Sequence, residues 1–403
     1  QALLIAKASA KTIREPIKLT QEVPYIDNYV TKIKKDPFEI PLDDKLNLLF
    51  KADEIMRKFD KVKVAQSNMG FWKTEKIFVN TEGAQITQTI YESGGGISVT
   101  AVDAGELQKR SYPNSFGGDF ATRGYEFIEE IDLPSHAEWI AQEACELLKA
   151  KDCPSGQKTI IIGGAQLALQ VHESCGHPAE LDRVLGYEAS YAGTSFMTLD
   201  KLGKLRYGSK IVNIVQDATI EGALGSFGYD DEGVKASRTY IIKDGILVGY
   251  LMSRETAHKL GLKSNGTMRA DGWWSIPLIR MTSINLEPGE PTLDELISDT
   301  KNGLFIDINK SWSIDDKRLN FQFGCEYARE IKNGKLGQLY KNPVYTGITP
   351  EFWNSCDAIC NKKEWHVWGL PNCGKGEPPQ MMHVSHGTAP ARFRNVEVGV
   401  KRG

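Results

Sequence analysis

The stretch Thr159-Ile-Ile-Ile-Gly-Gly-Ala-Gln-Leu-Ala-Leu-Gln-Val-His-Glu-Ser-Cys-Gly-His-Pro178 runs from a β-branched segment through a glycine pair into an apolar segment ending in two imidazoles and a carboxylate. Residues 159–162 read as a buried strand, and residues 165–171 as a helix carrying His172, Glu173 and His177 at its end. The chain holds only seven histidines. Two of them beside a glutamate are the material of a zinc hydrolase: neutral nitrogen or thiolate ligands that leave one position open, and a carboxylate that takes a proton from water. Glu173, next in sequence to one candidate ligand, suits the role of general base. The structural alternative is a pair of partly buried histidines hydrogen-bonded to neighbours, with Glu173 solvated.

The spacing constrains the backbone. A four-residue step returns two histidines to one helix face, but His172 and His177 are five apart, and five residues of ideal α-helix separate side chains by about 140°. A wide turn of the π type would realign them, and such turns often mark functional sites. Gly176 loosens the chain, and Pro178 disfavours the α conformation at His177. Residues 174–177 are therefore expected to depart from regular α-helix.

The wider segment His172-Glu-Ser-Cys-Gly-His-Pro-Ala-Glu-Leu-Asp-Arg183, followed by Glu188-Ala-Ser-Tyr-Ala-Gly-Thr-Ser-Phe196, resembles the signature of the TldD/PmbA family, in its protease-active, TldD-type branch. The resemblance continues through Tyr229-Asp-Asp-Glu-Gly233, Ser253-Arg-Glu-Thr256, Asn265-Gly-Thr-Met-Arg-Ala-Asp271, Ser311-Trp-Ser-Ile-Asp-Asp316, Asn320-Phe-Gln-Phe-Gly324, Gly347-Ile-Thr-Pro-Glu-Phe352 and Asn372-Cys-Gly-Lys375. It implies a zinc metallopeptidase with one Zn2+ per chain held by His172, His177 and Cys373, and Glu173 as general base. It implies short or unfolded peptides as substrates, cleaved in an enclosed cavity. The partner would be a second family member, either an identical copy or a TldE/PmbA-type chain. A further N-terminal α/β stretch is expected ahead of residue 1. Because a thiolate ligand partly neutralises the metal, its water would be less acidified than with three imidazoles, and Glu173 would matter more. The alternative function is a non-enzymatic interaction protein of the DNA gyrase modulator type, with a structural or absent zinc.

Other residues compete for attention. Cys356, Cys360, His366 and Cys373 could form a separate structural zinc site. Cys145 and Cys153 read as core or linker thiols, Cys325 as a small buried hydrophobe, and Cys175 lies within the motif. Tyr187, Tyr191, Arg183 and His386 are available as oxyanion donors, and none is assigned. His383 or His386 could stand behind a ligand. Asp230-Asp-Glu232 lacks the spacing of a calcium loop and reads as a solvated turn. Trp273 and Trp274 read as core in preference to the lining of a peptide groove.

Composition permits this reading. At 403 residues, 41% hydrophobic and 25% charged, the chain is long enough for two cored domains. A net charge of −3 carries no basic field for direct nucleic-acid contact. The longest apolar run is too short to span a bilayer, and seven cysteines, one of them proposed as a ligand, suit a reducing cytoplasm. The fold class expected is α+β: an N-terminal mixed α/β domain over residues 1–152, then a large, mainly antiparallel, barrel-like β domain over residues 153–403 carrying the metal-binding helix. In the first, residues 43–59 read as an amphipathic helix, residues 61–66 and 76–80 as separate strands, Gly94-Gly-Gly96 as a bend or bulge, and Ser135-x-x-Glu138 as a capping box opening a helix. In the second, Asp244-Gly245 and Asn333-Gly334 read as hairpin turns, and Thr292-x-x-Glu295 as a helix cap. A peptide entering a β-lined cavity could add as a strand, bonding through its main chain.

Overall fold

The computed structural model describes residues 1–14 and 16–399. Its N-terminal half is built on one long hairpin, Val62–Val79 paired antiparallel with Gln85–Asp103. Ile26–Val30 runs parallel to Gln85–Asp103, and Glu106–Tyr112 and Asp119–Ala121 pair with it antiparallel. Helices Leu42–Met56 and Leu133–Leu147 cover one face, burying Ala52, Met56, Ile97, Val99, Ala137 and Ile140 in a common core.

The structure departs from three local expectations. The two strands expected at 61–66 and 76–80 are one 18-residue strand, because the partner strand pairs along its whole length. Gly94 to Gly96 form no bulge; their register against Gly70 to Asn68 is unbroken. These glycines admit close neighbours instead: a Cβ would lie 2.2 Å from the Phe120 ring at Gly94 and 2.5 Å from the Asn68 carbonyl oxygen at Gly95. The helix near Ser135 starts earlier, at Leu133, with Pro134 in the first turn where its missing N–H costs no bond. Asp132 in the left-handed conformation (φ 45°) ends the helix Glu126–Ile131 just before it, and the Ser135 hydroxyl bonds the Asp132 carboxylate at 2.5 Å.

The second half contains a closed five-stranded barrel. Asn302–Ile314 pairs with Gly156–Ile162 on one side and Asn320–Lys332 on the other, and the ring continues through Val344–Ile348 and Ala391–Val398 back to Gly156–Ile162. Only the pairing of Asn302–Ile314 with Gly156–Ile162 is parallel among these five. Alternation sends Ile160, Ile162, Leu304, Ile306, Phe321, Phe323 and Phe393 into one core, which also takes the helical Leu167 and Val171. Outside the ring lies a sheet of Ile214–Asp217, Arg238–Lys243, Ile246–Leu247 and Ile284–Leu286, and a hairpin of His366–Lys375 with Gln380–Thr388. The expected turns are present, with positive φ at Asp244 and Gly245 and at Asn333 and Gly334, and Thr292 and Glu295 make a reciprocal capping box.

The halves are tied through a buried arginine. Arg110 bonds Glu143 at 2.7 Å on its own side and Glu326 of the barrel at 2.8 Å, with none of its side chain exposed. No helix among the described residues is long and apolar enough to cross a membrane.

Candidate metal centre

The strand Gly156–Ile162 turns directly into the helix Gly164–Val171, whose residues are all buried. Asp307, from the neighbouring barrel strand, accepts the Gln166 backbone N–H at 3.0 Å, satisfying one of the orphan donors of the helix start. A Cβ on Gly163 would lie 2.2 Å from that carboxylate, so the approach requires glycine. From His172 to Gly176 the helix widens into a π turn and then tightens to a 3-10 turn over His177–Ala179. The Ser174 hydroxyl donates to the Gln170 carbonyl and accepts from Trp353 Nε1 at 2.9 Å, holding the wide turn from inside. A Cβ on Gly176 would fall 2.0 Å from Met281 Sδ. The expected departure from α geometry is therefore present, with the two imidazole centroids 4.8 Å apart and nearly perpendicular at 88°.

Cys373 reaches these rings from the hairpin strand His366–Lys375, whose register shifts between Leu370 and Cys373. Its Sγ lies 3.6 Å from His172 Nε2 and 3.8 Å from His177 Nε2, and one candidate ligand atom from each residue lies within 4.8 Å of the others. Bond lengths of about 2.3 Å to sulfur and 2.05 Å to nitrogen at a tetrahedral angle give an S to N separation of about 3.6 Å. The donor set fits zinc in type, and its two sulfur-to-nitrogen separations match this spacing. All three residues are buried, with exposures of 4–5%.

The hydrogen bonds behind the rings decide which nitrogen is free. Ile284 O can only accept, so His386 donates from Nδ1 at 3.1 Å. Burial, and then the neighbouring His172, hold His386 well below the usual imidazole range, leaving its Nε2 as an acceptor for His172 Nδ1–H at 2.8 Å. His177 donates from Nδ1 to Glu180 Oε2 at 3.0 Å. Nε2 is thereby the nitrogen each ring leaves for a metal, because a hydrogen bond on the far nitrogen fixes the tautomer. Glu180 itself sits 3.4 Å from Lys375 Nζ; that fully buried ammonium bonds both Asp182 oxygens at 2.8 Å.

Electrostatics favour the ligating form of sulfur. Burial opposes ionisation of Cys373, but His172, Arg280 and His177 outweigh it and bring the thiol well below its ordinary range. Burial likewise opposes protonation of His172, and the adjacent Cys373 outweighs it and raises that imidazole. Burial carries His177 well below its ordinary value.

Glu173 projects from the same turn, 6% exposed, and accepts a hydrogen bond at Oε2 from Arg318 Nη1. Of the oxyanion donors available in the sequence, Tyr187 and Tyr191 are about half exposed at 48% and 55%. Arg183 gives Nη1 to the carbonyls of Ala192, Thr194 and Asp316, and His386 lies behind His172. His383 bonds Glu92 at 3.0 Å and packs on Trp72, with no bond to His172, His177 or Cys373. The rival zinc cluster does not assemble among the described residues: His366 bonds Asp119 at 2.6 Å, Cys356 lies in the barrel core, and Cys360 lies in a separate apolar cluster. Asp230 accepts backbone N–H groups of Glu232 and Val234, while Asp231 pairs with Lys76 at 2.8 Å, so this turn is tied by its own backbone. Trp273 and Trp274 are not core; they are 94% and 69% exposed.

Sequence reasoning gave no role to Glu180, Lys375 or Arg318. The first two stood inside quoted motifs, where a carboxylate three residues after His177 was the available signal. Arg318 lay just beyond one, and nothing local tied it to Glu173. A cavity of about 700 Å³ lined by Phe321, Thr346, Ile348 and Glu397 touches none of His172, Glu173, His177 and Cys373. A smaller one of about 310 Å³, between Trp72, Glu92, Arg269 and His383, reaches Met382, the cross-strand neighbour of Cys373.

Two family descriptions match the chain: the PmbA/TldA metallopeptidase central domain over residues 35–151 and the PmbA/TldA metallopeptidase C-terminal domain over residues 155–400. A metalloprotease of Methanocaldococcus jannaschii is 33% identical over 379 residues, covering 93% of this chain and 79% of that protein. A metalloprotease TldD homolog of Haemophilus influenzae is 27% identical over 365 residues, covering 89% of this chain and 72% of that protein. Among solved structures, a protein from Thermotoga maritima described as a modulator of a DNA gyrase superposes with a TM-score of 0.74 at 18% identity, covering 98% of this chain and 82% of that one. TldE from Thermococcus kodakarensis superposes with a TM-score of 0.70 at 17% identity, covering 98% and 83%. At these identities the two structures speak for the fold.

Proposed function

The chain belongs to the PmbA/TldD metallopeptidase family, and from that membership and the geometry of the centre we propose that it is a zinc-dependent peptidase acting on short or unfolded peptides. The observation that carries the proposal is the convergence of two imidazoles and one thiol, with one candidate ligand atom of each within 4.8 Å of the others, beside a glutamate that projects from the same turn. His172, His177 and Cys373 would hold one Zn2+, which when bound supplies a Lewis acid for a peptide carbonyl and for water.

The remaining chemistry falls to the chain. Glu173 takes a proton from the attacking water, the water oxygen bonds the carbonyl carbon, and the protonated carboxyl returns its proton to the amine nitrogen as the C–N bond breaks. Arg318 holds Oε2 of that carboxylate, and Oε1 has no hydrogen-bond partner among the described residues. His386 and Glu180 fix the rings so that neither must choose its tautomer when the site is used. The same reading takes a second family member as partner, an identical copy or a TldE/PmbA-type chain.

Glu173→Gln tests it, with zinc content and peptide cleavage measured on one preparation. Zinc stays at one per chain while cleavage falls by about two to four orders of magnitude, the usual contribution of a general base. Cleavage at the wild-type rate by the zinc-loaded variant would sink the assignment.

A further inference from the structure

Arg318 occupies the turn between Asn302–Ile314 and Asn320–Lys332 in the left-handed conformation, φ 63°. That turn is clamped from several sides. Asp315 accepts the backbone N–H groups of Leu319 at 2.7 Å and Asn320 at 3.1 Å, and its own carbonyl accepts Arg318 N–H at 2.8 Å. The Thr349 hydroxyl bonds the Arg318 carbonyl at 3.0 Å, and Phe196 N–H bonds the Lys317 carbonyl at 3.0 Å. Gly193 lets the segment after the metal helix pass so closely that a Cβ there would lie 2.5 Å from the Asp316 carbonyl oxygen. These bonds fix the backbone of the turn, and with it the side from which Arg318 reaches Glu173.

The guanidinium is incompletely used. Nη1 bonds Glu173, Nε is buried without an acceptor, and Nη2 makes no hydrogen bond among the described residues. An unsatisfied buried N–H calls for an explanation, and an acceptor arriving with a substrate is one. The charge is also close enough to oppose protonation of both His172 and His177. The four donors legible in the sequence are exposed, already bonded to carbonyls, or behind a ligand, as described above.

We propose that Arg318 is the oxyanion donor of this site, holding Glu173 through Nη1 while its unpartnered N–H groups take the oxygen of the scissile carbonyl. The inference rests on the peptidase reading. As the water oxygen bonds the carbonyl carbon and its proton passes to Glu173, the C=O π electrons move onto the oxygen. Arg318 stabilises that charge by hydrogen bonds without giving up a proton. When the electrons return, the amine leaves with the proton held by Glu173. A fixed cation aimed at developing charge needs no reorganisation, and loss of one such donor typically costs about 10²- to 10³-fold in kcat.

The test uses the full chain loaded with zinc, one peptide in free-acid and C-terminally amidated forms, and a phosphinic isostere of that peptide as a tetrahedral anionic probe. In Arg318→Ala, zinc content is unchanged, and kcat falls about 10²- to 10³-fold with KM within about threefold for both peptide forms. Calorimetric affinity for the phosphinic probe falls by a similar factor while affinity for the product peptide does not, and millimolar guanidinium restores part of kcat in the variant alone. A kcat within about threefold of wild type would overturn the inference, as would a loss confined to KM of the free-acid peptide, which marks an anchor for the C-terminal carboxylate. If the alanine variant does not fold, Arg318→Lys carries the test, since it keeps the charge and loses the planar fork. It is expected to lose at least about tenfold in kcat and in probe affinity, and wild-type values for both overturn the proposal. An inert wild-type enzyme would bring down the peptidase reading itself, whereas an active wild type with equally active Arg318 variants brings down only the role of Arg318.

Discussion

Replacing His386 by phenylalanine keeps a flat ring in a site with no exposure and removes both of its hydrogen bonds, one to Ile284 O at 3.1 Å and one from His172 Nδ1–H at 2.8 Å. The consequence for zinc follows from the tautomer. With His386 present, a proton of His172 is held on Nδ1, so Nε2, 3.6 Å from Cys373 Sγ, is the nitrogen left to meet a metal. Without it, the Nδ1–H would be a buried donor with no acceptor, a cost of about 1–3 kcal/mol. The metal-free ring escapes that cost by moving its proton to Nε2, toward the Cys373 sulfur. Zinc binding must then reverse the move and restore the unpaired donor. The expected loss of zinc affinity is about 10- to 100-fold, roughly 1.4–2.7 kcal/mol. The assay is a zinc titration against a chelating dye at fixed pH, run beside thermal unfolding of the metal-free chain. His386→Gln, which keeps an acceptor, should recover part of the affinity. Zinc affinity within about twofold of wild type in His386→Phe would refute the reasoning, even if the variant unfolds at lower temperature.

Two further expectations concern the same site. His177 and His386 are held by burial well below the ordinary imidazole value of about 6.5, so below about pH 6.5 the unfolded chain binds protons that the folded chain refuses. Stability of the metal-free protein should therefore fall on acidification from pH 6.5 to 5, by up to about 1.4 kcal/mol per pH unit for each histidine, and His386→Phe should show a shallower fall in Tm. Gly176→Ala places a Cβ 2.0 Å from Met281 Sδ, an overpacking that costs about 1–3 kcal/mol and displaces the π turn. Zinc binding should weaken in that variant and recover in Gly176→Ala/Met281→Ala; no recovery would place the strain elsewhere.

Much of the fold was legible where local chemistry acts alone. Asp244-Gly245 and Asn333-Gly334 announce hairpins because few residue pairs accept positive φ twice in succession, and Thr292 with Glu295 announces a helix start because the pair bonds reciprocally. Gly94 to Gly96 misled for the opposite reason. Their small size answers the approach of Phe120 and Asn68, which are near only after folding, and a run of glycines looks the same whether it bends or simply makes room. Trp273 and Trp274 misled because bulk predicts burial only on average.

At the centre, the five-residue spacing of His172 and His177 required a wide turn, since no regular helix could bring both rings to one side. That requirement is written in the chain, because it depends on covalent geometry and nothing more distant. The residues that meet there are far apart in sequence. Cys373 arrives by a hairpin 196 residues beyond His177, His386 by the opposite strand of that hairpin, and Arg318 by a barrel turn 145 residues beyond Glu173. Spacing says nothing about such meetings. They depend on the barrel closing and on the register shift between Leu370 and Cys373, which are set by packing and hydrogen bonding across the whole domain; the family resemblance pointed to Cys373, but the roles of His386 and Arg318 were left to the tertiary structure.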